Sequence, residues 1–255
     1  MVNQTENQPQ IIIVSDAASL AETAARHFAQ SAETHTKRNG KFTVALSGGS
    51  TPRAMFALLA EEPYKTLIQW DSIFFFWGDE RSVPPDHADS NYRTAREVLL
   101  SRVPVPEQNI FRIPSELGPE RAAAEYSSQL RSFFGLNDKP DELPRLDLVF
   151  LGMGADGHTA SLFPGTTALQ AGHEIAVSTY VEKLQTHRIT LTAATINNAK
   201  EVVFLVGGQD KAETLYDVLR GEYQPDQYPS QLIKPQDGNL IWMVDEAAYS
   251  KLKES

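Results

Sequence analysis

An aspartate and a histidine separated by one glycine, Asp156-Gly157-His158, are the pair in this sequence best suited to acid–base chemistry. Glycine can take backbone angles closed to other residues, so such a turn can aim both side chains into one pocket. The carboxylate would fix the imidazole tautomer and leave the second ring nitrogen to act as a base. An Asx turn ahead of a helix cap would carry the same letters. Glycines at 152, 154 and 157, directly after an apolar run, favour the catalytic interpretation. A histidine base predicts activity rising with pH through about 6.5, or higher if ionised Asp156 is close. Other histidines are poorer candidates: His27 and His35 fall in or just after a helical pattern, His87 in an acidic loop, and His173 after a glycine.

A second group of residues suits anion binding. In Ser47-Gly48-Gly49-Ser50-Thr51-Pro52 the glycines would let the backbone approach an anion. Free N–H groups at a helix start, with the Ser50 and Thr51 hydroxyls, would bind it. A plain glycine turn with Thr51 as N-cap fits the same residues equally well, because the Lys-Ser/Thr of a P-loop is missing. Arg81 and Lys211 each follow an expected strand end, and Arg188 opens a possible strand. A single surface cation is more often only solvated, so these three matter only if they converge. Other chemistries lack their residues. With no cysteine there is no thiol nucleophile, no Gly-x-Ser-x-Gly elbow occurs, and the histidines lack zinc spacing. Gly152–Gly157 has the letters of a dinucleotide fingerprint but comes too late in the chain, with no ribose-binding acid after it.

The elements that must position these groups are legible as alternating patterns. Short β-branched and aromatic runs at 11–14, 42–46, 73–77, 146–151, 202–206 and 240–244 predict buried strands. Helical spacing at 17–32, 52–59, 92–100, 119–134 and 211–219 lies between them. The expectation is an α/β fold with a largely parallel, Rossmann-like sheet and helices on both faces. Segments 174–178 and 188–191 could be shorter strands, and 135–144 a surface loop. One domain over 1–255 is expected, with residues 1–9 a flexible tail. Ligands of such sheets sit beyond the carboxyl ends of the strands, where four expected loops, Ser47–Pro52, Gly78–Arg81, Gly152–Thr159 and Gly207–Lys211, combine glycine with charged or hydroxyl residues. The net charge of −10 disfavours nucleic acid or an anionic membrane as partner. It also requires a local positive pocket for any anionic substrate. No apolar stretch approaches the ~20 residues of a membrane span, and the polar start MVNQTENQPQ lacks a secretory pattern, so a cytoplasmic protein is expected.

Several long segments, in order, resemble the 6-phosphogluconolactonases. They are Ala45–Pro52, Trp77–Arg81 with Ser90-Asn91-Tyr92, Leu151–Pro164, Arg188–Thr192 and the Gly207–Lys211 turn, spread over nearly the whole chain. The resemblance implies a NagB/ribose-5-phosphate isomerase-like fold. It also implies hydrolysis of 6-phospho-D-glucono-1,5-lactone in the oxidative pentose phosphate pathway, with no metal or cofactor. His158 would be the general base and Asp156 its orienting partner. The loop Ser47, Gly48, Gly49, Ser50 and Thr51 would handle phosphate and nearby oxygens together with Arg81, Arg188 and Lys211, while Asp79 would line the site. One departure is Leu184-Gln185-Thr186-His187, where the family has prolines before its arginine. The related glucosamine-6-phosphate deaminases carry a Tyr in place of Arg81 and a Glu within the stretch matching Leu162-Phe163-Pro164-Gly165, which has no acid here. A non-catalytic sugar-phosphate sensor on the same scaffold is a third alternative.

Overall fold

The computed structural model describes residues 9–253, so the expected tail at 1–9 lies outside the described residues except for Pro9. Nine strands are present among them: β1 (Gln10–Val14), β2 (Phe42–Leu46), β3 (Ile73–Trp77), β4 (Asp79–Arg81), β5 (Leu148–Gly152), β6 (Ala176–Val181), β7 (Thr186–Leu191), β8 (Glu201–Val206) and β9 (Asn239–Asp245). The helices are α1 (Ala17–Asn39), α2 (Ser50–Leu59), α3 (Tyr64–Leu67), α4 (Asn91–Ala95), α5 (Pro119–Phe134), α6 (Ala193–Asn197), α7 (Ala212–Arg220) and α8 (Ser250–Lys253). Six strands form one parallel sheet in the order β1-β9-β8-β5-β2-β3. All six were expected from their apolar runs, and 135–144 is irregular as anticipated.

Strand β3 shows why the sheet is covered twice. Its sequence Ile-Phe-Phe-Phe-Trp puts successive rings on opposite faces. Phe75 stacks 6.3 Å from Phe28 of α1, while Phe74 and Phe76 lie 5.1 and 5.2 Å from Phe133 of α5. Local signals also set the helix ends. Asp16 caps α1 by accepting from the Ser19 N–H at 2.8 Å. Gly40 and Gly135 end α1 and α5 in the left-handed region that glycine tolerates.

Three expectations need correction. Residues 79–81 are a strand, not a loop: β4 pairs antiparallel with β7, and β7 with β6, giving a separate three-stranded sheet. Three residues are too few to show a period, and pairing rather than propensity makes this strand. The expected helix at 92–100 is α4 followed by a π-helical turn, Arg96–Leu100. Helix 211–219 starts one residue late, because Gln209–Lys211 forms a 3₁₀ turn first.

The order of the large sheet has a reversal. From β2 the chain moves outward to β3, then returns to place β5 on the other side of β2 and continues to β8 and β9. The loops leaving β2 and β5 therefore diverge at their carboxyl ends and open a crevice. Those loops are 47–49 and 153–158, the two glycine-rich segments singled out above.

Candidate active site

A cleft of about 420 Å³ occupies this reversal point. Ser47, Gly48, Gly49, Ser50, Thr51, Asp79, Arg81, His158, Arg188 and Lys211 all line it. Asp156 does not; it meets His158 from behind.

The turn that carries His158 is held on every side. The Gly154 N–H donates to the His158 carbonyl at 2.9 Å, and the Gly157 N–H to the Gly154 carbonyl at 3.0 Å. Gly157 has φ +76, and a Cβ there would meet Tyr228 Cδ1 at 2.8 Å. The Ser230 N–H and hydroxyl both donate to the Gly157 carbonyl, at 2.9 and 2.8 Å. Thr214 of α7 donates to the Ala155 carbonyl at 2.7 Å. Contacts from within the loop and from two distant segments thus fix one short turn, and the imidazole has little freedom to leave its place.

Asp156 Oδ1 accepts from His158 Nδ1. A carboxylate oxygen can only accept, so Nδ1 carries the proton and Nε2 keeps a lone pair. The ring stacks on Phe163 with centroids 4.0 Å apart. Burial lowers the His158 pKa to about 4, with Lys211 and Arg188 adding to the effect and Asp79 opposing it. The imidazole is therefore neutral at physiological pH. This corrects the expectation of a pKa at or above 6.5, which counted the Asp156 charge and neither burial nor the facing cations. A salt bridge from Lys183 Nζ to Asp156 Oδ2 also offsets that charge. Lys183 was not singled out by sequence: it precedes the atypical stretch 184–187, and a lone lysine carries no signal.

The opposite wall comes from the small sheet. Arg81 of β4 and Arg188 of β7 are partners in register, so their side chains share one face. The Arg188 pKa is lowered, first by burial and then by the charge of Arg81. Arg81 is tied to the Asp89 carbonyl. Asp79 is buried and accepts from Ser161 Oγ at 2.6 Å and from Asn91 Nδ2 at 3.3 Å. Asn91 packs so tightly on Gly48 that a Cβ at 48 would overlap its amide. Ser161 and Asn91 stand within the motifs quoted above, but their tertiary partners were not legible there. The missing prolines do not divert Arg188. The β6–β7 hairpin closes through a 3₁₀ turn, Glu182–Leu184, and Gln185 at φ +49, and it still delivers Arg188 to the cleft.

The site thus combines a neutral, oriented imidazole with several cations that converge as an anion requires, a local exception to the net charge of −10. Among the described residues no group of three or more His, Cys, Asp or Glu could hold a metal ion. The family described as glucosamine-6-phosphate isomerases/6-phosphogluconolactonase matches residues 15–242. A 6-phosphogluconolactonase of a Nostoc species is 44% identical over 86% of this chain and 88% of its own. One from Synechocystis is 43% identical over 84% and 86%. The structure of 6-phosphogluconolactonase from Trypanosoma cruzi superposes with a TM-score of 0.86 at 28% identity, covering 98% of this chain and 99% of the other.

Proposed function

The chain belongs to the glucosamine-6-phosphate isomerase/6-phosphogluconolactonase family, and from that premise we propose a lactone hydrolysis in which His158 activates water. The reaction is the conversion of 6-phospho-D-glucono-1,5-lactone to 6-phospho-D-gluconate, a step of the oxidative pentose phosphate pathway. One observation carries the mechanism: His158 presents a free, neutral Nε2 at the cleft while Asp156 holds Nδ1.

Nε2 takes a proton from water as the water oxygen attacks the lactone carbonyl carbon. The carbonyl electrons move onto oxygen, and the cleft cations or free backbone N–H groups stabilise that charge. The intermediate then collapses, the bond to the ring oxygen breaks, and the imidazolium returns its proton to the departing oxygen. A carboxylic acid and a hydroxyl result, with one water consumed. General-base help is worth roughly 10²–10⁴-fold. The phosphate serves as a handle for Arg81, Arg188 and Lys211 with the Ser47–Thr51 loop.

The deaminase alternative is disfavoured by residues 162–165, which line or border the cleft without a carboxylate. We also propose that the chain works as one α/β domain in the cytoplasm, with a small sugar phosphate as ligand and neither nucleic acid nor membrane as partner. The cleft draws its walls from both sheets, and no described helix is long and apolar enough to cross a membrane. The direct test is lactone hydrolysis by purified protein, with product trapped by 6-phosphogluconate dehydrogenase and the spontaneous rate subtracted. His158→Ala should lose roughly 10²-fold or more in kcat. A variant keeping about a tenth of the wild-type kcat would sink the assignment of the base.

A further inference from the structure

Resting on that reading of the site, we infer that Lys183 is a positioning residue for the base: it grips the outer oxygen of Asp156 and thereby sets the orientation and basicity of His158. The two oxygens of Asp156 have separate tasks. Oδ1 accepts from His158 Nδ1, and Oδ2 binds Lys183 Nζ. The same ammonium lies 5.0 Å from the centre of the Phe163 ring, and that ring stacks on the imidazole. Lys183 thus meets both supports of His158, one ionic and one aromatic. It comes from the turn between β6 and β7, not from the loop that carries the dyad.

The electrostatic consequence has a definite sign. An unpartnered carboxylate at Nδ1 would favour the imidazolium and raise the His158 pKa. With Lys183 in place, carboxylate and ammonium cancel, and a proton added at Nε2 would make the trio a net cation. The other charged groups facing His158 are Asp79 from β4, Arg188 from β7 and Lys211 ahead of α7. Two of those three are cations, which act in the same direction as Lys183. The pair is partly exposed, with Lys183 at 52% and Asp156 at 30%, so solvent screens it and the effect is moderate.

The test compares wild type, Lys183→Met and Lys183→Arg. In Lys183→Met the acid limb of kcat/KM should move up by roughly one pH unit. kcat should fall several-fold even at about pH 8, with KM changed less than kcat, and Lys183→Arg should restore both. NMR titration of the His158 ring reads the same shift without substrate, so it stands even if lactonase activity is absent. Adding Lys183→Met to Asp156→Asn should move the ring pKa clearly less than Lys183→Met does alone, since the carboxylate that holds Lys183 in place is already gone. If Lys183→Met raised KM and left the limb and the ring pKa in place, Lys183 would be a substrate contact and the inference wrong. No change in any readout would reduce the pair to a surface ion pair and overturn the inference equally. Loss of activity in the wild type with the NMR shift intact would instead remove the lactonase reading and keep the role of Lys183.

Discussion

His158 is half-buried, and that burial holds its pKa at about 4, so it reaches its working, neutral form well below physiological pH. The sign follows directly. A base must be deprotonated, deprotonation is nearly complete above about 5, and activity is lost as pH falls through about 4. We therefore expect kcat/KM to be level from about pH 6 to 8 and to be halved near about 4; a limb centred at about 6.5 would show that the burial is relieved in solution. Gly154 gives a second test at this scale. A Cβ there would overlap the His158 ring and the Asp156 carboxylate. Gly154→Ala should cost nearly as much kcat as His158→Ala while the circular dichroism spectrum stays native, and unimpaired turnover would mean that the dyad tolerates displacement.

Among the elements, β4 carries a middle residue that joins the small sheet to a helix. Glu80 is buried, and its carboxylate accepts from the Arg81, Asn91 and Tyr92 N–H groups at 2.8, 2.7 and 2.9 Å and from Ser90 Oγ at 3.0 Å. It therefore caps α4 and fixes Asn91 against Gly48. Burial raises the Glu80 pKa, and these hydrogen bonds oppose the rise. Glu80→Ala leaves four donors without an acceptor and should cost roughly 2–4 kcal/mol, or a Tm lower by about 4–16 °C for a chain of this size. An unchanged Tm in a thermal melt would refute the capping role. The large sheet was readable from apolar runs because parallel strands buried on both faces need no polar alternation. Strand β4 was not, since Asp-Glu-Arg has no apolar side and its pairing partner β7 lies far along the chain. The same distance hid Lys183 and Ser161, whose contacts exist only after β7 and the 159–162 segment have packed. His158, Asp156 and the Ser47–Thr51 loop were legible because glycine spacing at strand ends is a local signal.

On the scale of the molecule, a chain of net charge −10 concentrates Arg81, Arg188, Lys211 and Lys183 around one cleft. Inorganic phosphate should occupy it, compete with substrate and raise the Tm, by about 2.7 kcal/mol of stabilisation at roughly a hundred times its Kd. Lys211→Ala should remove most of that rise and increase KM roughly tenfold, as loss of one partly exposed charged hydrogen bond would; unaltered KM and phosphate response would take the handle away from Lys211. Deamination must move a proton between carbons and expel ammonia, and residues 162–165 supply no acid for it. No ammonia should therefore appear from glucosamine 6-phosphate at protein concentrations that hydrolyse the lactone rapidly, and comparable rates would reverse the assignment. The strand order has one more consequence, for the ribosome. Strand β1 leaves the exit tunnel before the other described strands, but its only neighbour among them is β9, which begins at Asn239. At roughly 5–20 residues per second the wait lasts about 10–50 s. Throughout it Ile11-Ile12-Ile13-Val14 has no strand to pair with, and released fragments that end before residue 239 should be held by chaperones far more than the released full chain.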